Sequence, residues 1–269
     1  FVESGGTLVL LGARISDLPG DALVLGAADA RWFRLQAARI SRCRWPLVGG
    51  AHHFAQPLGQ GHVWRDNARD EIGVGGEIAV EAFLANQPEG VRYALREDLL
   101  IVRGGRLALG MAAPLLLDGE IRVEGDLEMP AGLSLEAAEG GLITVLGGGT
   151  FRAAGAPQAP VRIGAAEGAR WSGVVAEAGA TLELASLIVA RAGDPAVRFD
   201  GAFGEVIELG VEEALGVALA LGGGGTLTDL DITGSAGGID ISGGAGTILG
   251  TLEGAPVNFE PTDLCAGWD

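Results

Sequence analysis

Along the chain, apolar and polar residues alternate in short runs and then break. Thr181–Leu184, Ala196–Phe199, Val206–Leu209 and Val217–Leu221 are followed by Leu227–Ile232, Ile239–Ile241, Thr247–Leu249 and Val257–Phe259. The runs start about ten residues apart, and Gly, Pro, Asp or Ser fills the gaps. Alternation of period two is the mark of a strand with one inward and one outward face. In this register Leu182, Leu184, Val197, Phe199, Ile207 and Leu209 are the expected core. No stretch keeps a helical period, and one short helix is expected, over Glu77–Leu84.

Strands of three to five residues, no Asn-Gly hairpin signals and small residues at the breaks favour stacked coils over a sandwich or propeller. The expected fold is all-β: a right-handed parallel β-helix, or solenoid. Each strand then hydrogen-bonds to its equivalent one turn on, with rungs about 4.8 Å apart. Gly supplies the tight corners.

The chain also repeats itself. Gly5, Thr7, Leu8, Leu10 and Ala22 match Gly179, Thr181, Leu182, Leu184 and Ala196, all at one offset and without a gap. Val91-Arg92-Tyr93 matches Val257-Asn258-Phe259, and Ile72-Gly73-Val74 resembles Ile239-Asp240-Ile241. Internal repetition at this scale bears on the whole fold. The tandem organisation expected is 1–88 as the later part of one unit, 89–255 as a complete second unit, and 256–269 as the start of a further unit or a tail.

Between residues 89 and 200 the phrases are more specific. Val102–Leu107 reads V-x-x-G-x-L, Phe151–Val161 reads F-x-A-x-G followed by P-V, Trp171–Val174 reads W-x-G-V, and Leu184–Gly193 ends in A-G. Together they resemble secreted bacterial parallel β-helix proteins of the pectin-lyase-like superfamily. The resemblance implies the fold. It implies little about function, because this fold hosts lyases, hydrolases, adhesins and structural proteins alike.

Composition narrows the classes. The 269 residues are 48% hydrophobic, with 47 Gly, 18 Arg and no Lys. No uninterrupted apolar run approaches 18 residues, so no transmembrane helix is expected. The formal charge is −17. That argues against nucleic acid and anionic membranes as partners, since a phosphate backbone needs dense cationic contacts. It favours solubility and, at most, weak association with Ca2+. The chain opens on Phe1 without Met or a visible signal peptide, which reads as a processed or trimmed form.

Several residue groups are candidates for chemistry. Enzymes of the resembled superfamily use clustered Asp, or Asp-bound calcium with an Arg or Lys base. Asp229, Asp231 and Asp240 are the best carboxylate group here, and Asp229 and Asp231 share a face of one strand. The paired-Asp, Gly-His-Gly and Arg-x-Lys phrases of those enzymes are absent. Outward, solvated carboxylates are the plainer reading. His52, His53 and His62 fall close together, a density that suggests zinc; an exposed Pro- and Gly-containing loop, with His52 and His53 on opposite faces, explains them too. Gly147–Gly149 and Gly222–Gly225 lack the Lys and the helix of a phosphate loop and read as corners. Trp32, Trp45, Trp64 and Trp171 form a sugar-stacking strip or ordinary packing. Cys43 and Cys265 lie too far apart along a coil axis for a bond within one molecule unless the tail folds back, and a bond between neighbouring subunits is the alternative.

These readings favour a non-catalytic, secreted or cell-surface structural protein: a segment of a filament, stalk or adhesin that stacks head to tail. A polysaccharide-acting enzyme or carbohydrate-binding module, with a cell-surface polysaccharide as partner, is the alternative.

Overall fold

The computed structural model describes residues 7–26, 32–110, 115–201, 205–241, 247–249 and 257–259. It is a parallel β-solenoid of about 10 turns, with 53% of residues in strands. Every ladder between strands is parallel, and most belong to one 22-stranded sheet that winds around the coil.

The reason is legible in single columns of residues. Leu99 stands in register with Ile121, and Ile121 with Ile143. Ile143 then pairs with Val174, Val174 with Val197, Val197 with Leu219 and Leu219 with Ile239. Each of these apolar side chains is buried and stacks on its own kind one rung away. Burial of such a side chain is worth about 1.5–3 kcal/mol, and period-two alternation delivers one at every second residue. Two large polar aromatics inside have their polar groups satisfied by backbone carbonyls. The Tyr93 hydroxyl donates to the Ala85 carbonyl at 3.0 Å, and the Trp171 indole N–H to the Ala190 carbonyl at 3.0 Å.

Coils differ in length but not in rise. Within this column the coil from Ile143 to Val174 is the longest and the coil from Leu219 to Ile239 the shortest. The extra residues of the long coil sit in corners, including a turn closed by an Ala156–Ala159 bridge.

Corners come in two kinds. In the central coils they are glycine turns. A side chain at Gly149 would put its Cβ 2.1 Å from the Val123 carbonyl oxygen, so only Gly lets the next rung close up. Gly173, in the W-x-G-V phrase, combines a φ of 103° with a Cβ position 2.3 Å from the Ala196 oxygen. Elsewhere a single left-handed residue turns the chain. Ser186, Glu208 and Asp229 form one stacked column with φ of 46°, 55° and 55°; Arg191, Glu213 and Gly234 form another with 54°, 55° and 63°.

The repetition in the sequence has a backbone counterpart. Gly12, Ala37 and Gly61 turn left-handed like Ser186, Glu208 and Asp229; Asp17, Arg42 and Asp66 turn like Arg191, Glu213 and Gly234. The step along the chain from Gly12 to Ser186 equals the step from Asp17 to Arg191, and it is also the offset that aligns Gly5 with Gly179. The next two pairs of each column likewise share their steps, Ala37 to Glu208 with Arg42 to Glu213, and Gly61 to Asp229 with Asp66 to Gly234. The side-chain caps correspond as well. Asn67 Oδ1 accepts from the Cys43 N–H at 2.9 Å, and Ser235 Oγ accepts from the Ala214 N–H at 3.1 Å.

Three expectations need correction. Glu77–Leu84 is not helical: it falls in the strands Ile72–Ile78 and Glu81–Leu84. Ile78 is buried at the end of the first strand, Ala82 and Leu84 are buried at period two in the second, and Glu81–Leu84 lies in register with Arg106–Leu109. Ile207 is 37% exposed, and Val206 takes the core position instead. The left-handed Glu208 consumes one residue at the corner and shifts the alternation between Val206 and Leu209. Strands also run longer than expected, as in Thr181–Ala190, because a one-residue corner lets the ladder run on from face to face. The other expected core residues, Leu182, Leu184, Val197, Phe199 and Leu209, are buried.

Candidate functional site

The left-handed corner of the later coils forms the wall of a groove of about 450 Å³. Ser186, Glu208 and Asp229 line it from the corner column. Ile188, Gly210 and Asp231 line it from the outward column beside them, three residues in mutual register. Pro157 and Pro160, from the inserted turn of the long coil, form its rim. Gly210 leaves the middle of the floor flat. Glu208 and Asp229 sit on neighbouring rungs, so their backbones are about 4.8 Å apart.

Asp229 and Asp231 therefore share one groove, as their spacing on one strand suggests, and both are exposed. Asp240 does not join them. It lies on Ile239–Ile241, on the next face of the coil, in register with Ala220 and Asn258. The third carboxylate of the groove is Glu208, which accepts a hydrogen bond from the Ser186 hydroxyl. Ser186 is 5% exposed, so this bond satisfies a hydroxyl that would otherwise be buried alone. None of Glu208, Asp229 and Asp231 forms an ion pair with a described residue. The groove can accept hydrogen bonds and hold cationic groups, over a floor that is partly apolar.

A second groove, of about 530 Å³, lies on the outward sheet of the central coils and carries Arg92, Arg162 and Arg191. Its cations are occupied. Arg92 bonds Glu71 at 2.9 Å and Glu136 at 3.2 Å, and Arg162 bonds Glu212 at 2.5 Å. The hydrogen bond from Arg162 to Glu212 holds the Arg162 guanidinium above its usual pKa.

His52 and His53 sit on a 3-10 turn, Ala51–Phe54, and not on a strand or a fully exposed loop. Their rings lie 4.0 Å apart, while Phe54 beside them is buried against Tyr93. His62 accepts from the Ala38 N–H at 3.4 Å and packs beside Trp64; burial pushes its pKa down. Among the described residues no group of three His, Cys, Asp or Glu side chains is placed to hold one metal ion. Cys43 is a free, buried thiol that donates to the Ser41 carbonyl at 3.4 Å, and Cys265 lies outside the described residues. Trp45 and Trp171 are buried, Trp64 is half-buried, and none of the three lines either groove. The side chain of Trp32 lies outside the described part of the structure. No helix among the described residues is long and apolar enough to cross a membrane.

Sequence reasoning misses Glu208 as a groove residue because it follows an apolar run and reads as a plain outward position. A signal is present in the charges. From Phe199 to Asp269 the chain has twelve carboxylates and no Arg, Lys or His. No protein-family model, no curated protein and no solved structure matches the chain.

Proposed function

We propose that the chain is a non-catalytic structural solenoid: a segment of a secreted bacterial surface filament, stalk or adhesin, of the kind its phrases resemble. One observation carries this reading. Outward charges are arranged as a brace along the axis. Glu81, Arg106, Glu128, Arg152 and Glu183 stand on consecutive rungs and are joined by ion pairs of 2.5–2.8 Å. Such a ladder ties each coil to the next and serves stiffness along the rod. A rod whose coils are tied one to the next by outward ion pairs suits load or spacing better than turnover.

A carbohydrate-binding or polysaccharide-acting role is the second reading, and the groove at Glu208, Asp229 and Asp231 favours it. The two are separated by incubating the protein with a panel of acidic polysaccharides, with and without Ca2+, and measuring reducing ends and unsaturated products. No product above background is expected. Turnover that disappears in Asp231→Ala would replace the structural reading with the enzymatic one.

A further inference from the structure

The two sets of left-handed corners are equivalent in backbone and opposite in charge. At the offsets that relate the corner residues, Ile188, Gly210 and Asp231 correspond to Arg14, Arg39 and Val63. The later corner is the acidic groove. The earlier one is basic and partly apolar.

On the earlier coils, Arg14 stands directly in register with Arg39 on the exposed face of a three-stranded sheet. Like charges stacked one rung apart are unfavourable. Neither arginine forms an ion pair with a described residue, and Arg34 on the adjoining strand Trp32–Gln36 is likewise exposed. Two described carboxylates of the same coils are engaged elsewhere: Asp17 is held by Arg42, with Nη2 to Oδ2 at 2.7 Å, and Asp66 lies 4.0 Å from Arg65. Large apolar side chains are exposed on the same coils, Leu11 at 65%, Leu18 at 40% and Val63 at 44%, and Val63 stands in register with Arg39. Stacked cations without a partner among the described residues, with apolar neighbours, are a surface built to be covered.

The acidic corner has what the basic corner lacks. Glu208, Asp229 and Asp231 are without ion pairs to described residues, Ile188 and the Pro157–Pro160 rim supply apolar contact, and no cation follows Arg198 in the chain. We infer that the two corners are halves of one interface, so that the Arg14–Arg39 face of one molecule docks in the Glu208–Asp229–Asp231 groove of a second copy. Charge selects the pairing. Two acidic corners repel, two basic corners repel, and only the heterologous contact matches. A contact of this kind leaves one free corner on each end of a dimer and so propagates. The pairing deepens the structural reading and rests on it in one respect, that the partner is another copy and not a substrate.

The test is the mass of the full chain in solution, by sedimentation velocity at low and at high salt. Wild type is expected to form species larger than a monomer at low salt and to dissociate at high salt. Arg14→Glu with Arg39→Glu is expected to be monomeric at both salts. Asp231→Arg with Asp229→Asn, which keeps a residue tolerant of the left-handed corner, is expected to be monomeric too. Mixed in equal amounts, the two variants retain one intact and mutually complementary corner each and should associate again at low salt. That rescue separates a lost contact from a lost fold. A wild type that stays monomeric at low salt overturns the proposal, as does assembly that persists in either variant or fails to return in the mixture. A monomer that instead binds an anionic polysaccharide through Arg14 and Arg39 also overturns it. All of these outcomes are independent of whether the protein cleaves polysaccharide.

Discussion

Arg152 reaches back one rung to Glu128, Nη1 to Oε1 at 2.6 Å, while its Nε reaches forward to Glu183 at 2.5 Å. The arginine is thereby a link between three coils. Its neighbours feel it: the hydrogen bond from Arg106 chiefly, then that from Arg152, holds the Glu128 carboxyl below its usual pKa, and Arg152 does the same to Glu183.

The sign of the pH dependence follows. A carboxyl whose pKa is lower in the folded state stabilises the fold fully above its unfolded pKa, near 4.5, and loses that contribution as pH falls through the lowered value. Urea unfolding midpoints should therefore fall between about pH 5 and pH 3. In Arg152→Met the fall should be shallower, because two of the pairs that titrate, to Glu128 and to Glu183, are gone while Arg106 still holds Glu128. Glu183 is half exposed, so solvent screening keeps its share small.

His62 gives a second, higher window. Burial depresses its pKa below 6.5, so its neutral form stabilises the fold above that pH and the contribution is lost as pH falls. His62→Gln should flatten the change in unfolding midpoint between about pH 7 and pH 5. An unaltered profile would show that His62 is open to solvent.

Gly149→Ala should destabilise by about 2 kcal/mol or more. Its Cβ would meet the Val123 carbonyl oxygen, a backbone atom that cannot swing aside without opening the rung. Comparing its denaturant midpoint with that of wild type checks this.

Glu213→Gly should do the reverse. Glu213 holds a φ of 55°, while the next coil already has Gly at the corresponding corner, Gly234. Relief of a left-handed residue is worth about 1 kcal/mol. The ion pair that Glu213 forms with Arg191, at 3.8 Å, is long and exposed, so little is lost with it. A raised unfolding midpoint is the expected outcome.

Cys43 should be inert to a thiol reagent in the folded protein and react on unfolding, since its side chain is inside the coil. Fast labelling under native conditions would place the thiol outside.

The fold is legible in the sequence because its determinants are local. Period-two runs such as Leu182–Leu184 and Val197–Phe199 name their own buried residues. Ile207 is misread because one left-handed residue, Glu208, changes the phase of the alternation, and nothing in a Glu announces a positive φ. The strand nature of Glu77–Leu84 is hidden for a related reason: Ile78 and Ala82 stand four apart, which reads as a helical step as well as the crossing of a corner between two strands. The groove is half legible. Asp229 and Asp231 share a strand, but Ser186, Glu208 and Pro157 come from other coils and meet only through the register of the ladder.

The unequal coils carry one more consequence. The coil from Ile143 to Val174 is much longer in sequence than the one from Leu219 to Ile239, yet each advances the axis by one strand spacing. Extension is thus counted in rungs: ten turns make a rod about 48 Å long whatever the corner loops contain. Evolution can enlarge a loop, as at Pro157–Pro160, and leave reach untouched, or duplicate a coil and lengthen the molecule by one fixed step. The chain is a ruler whose graduations are set by the peptide hydrogen bond.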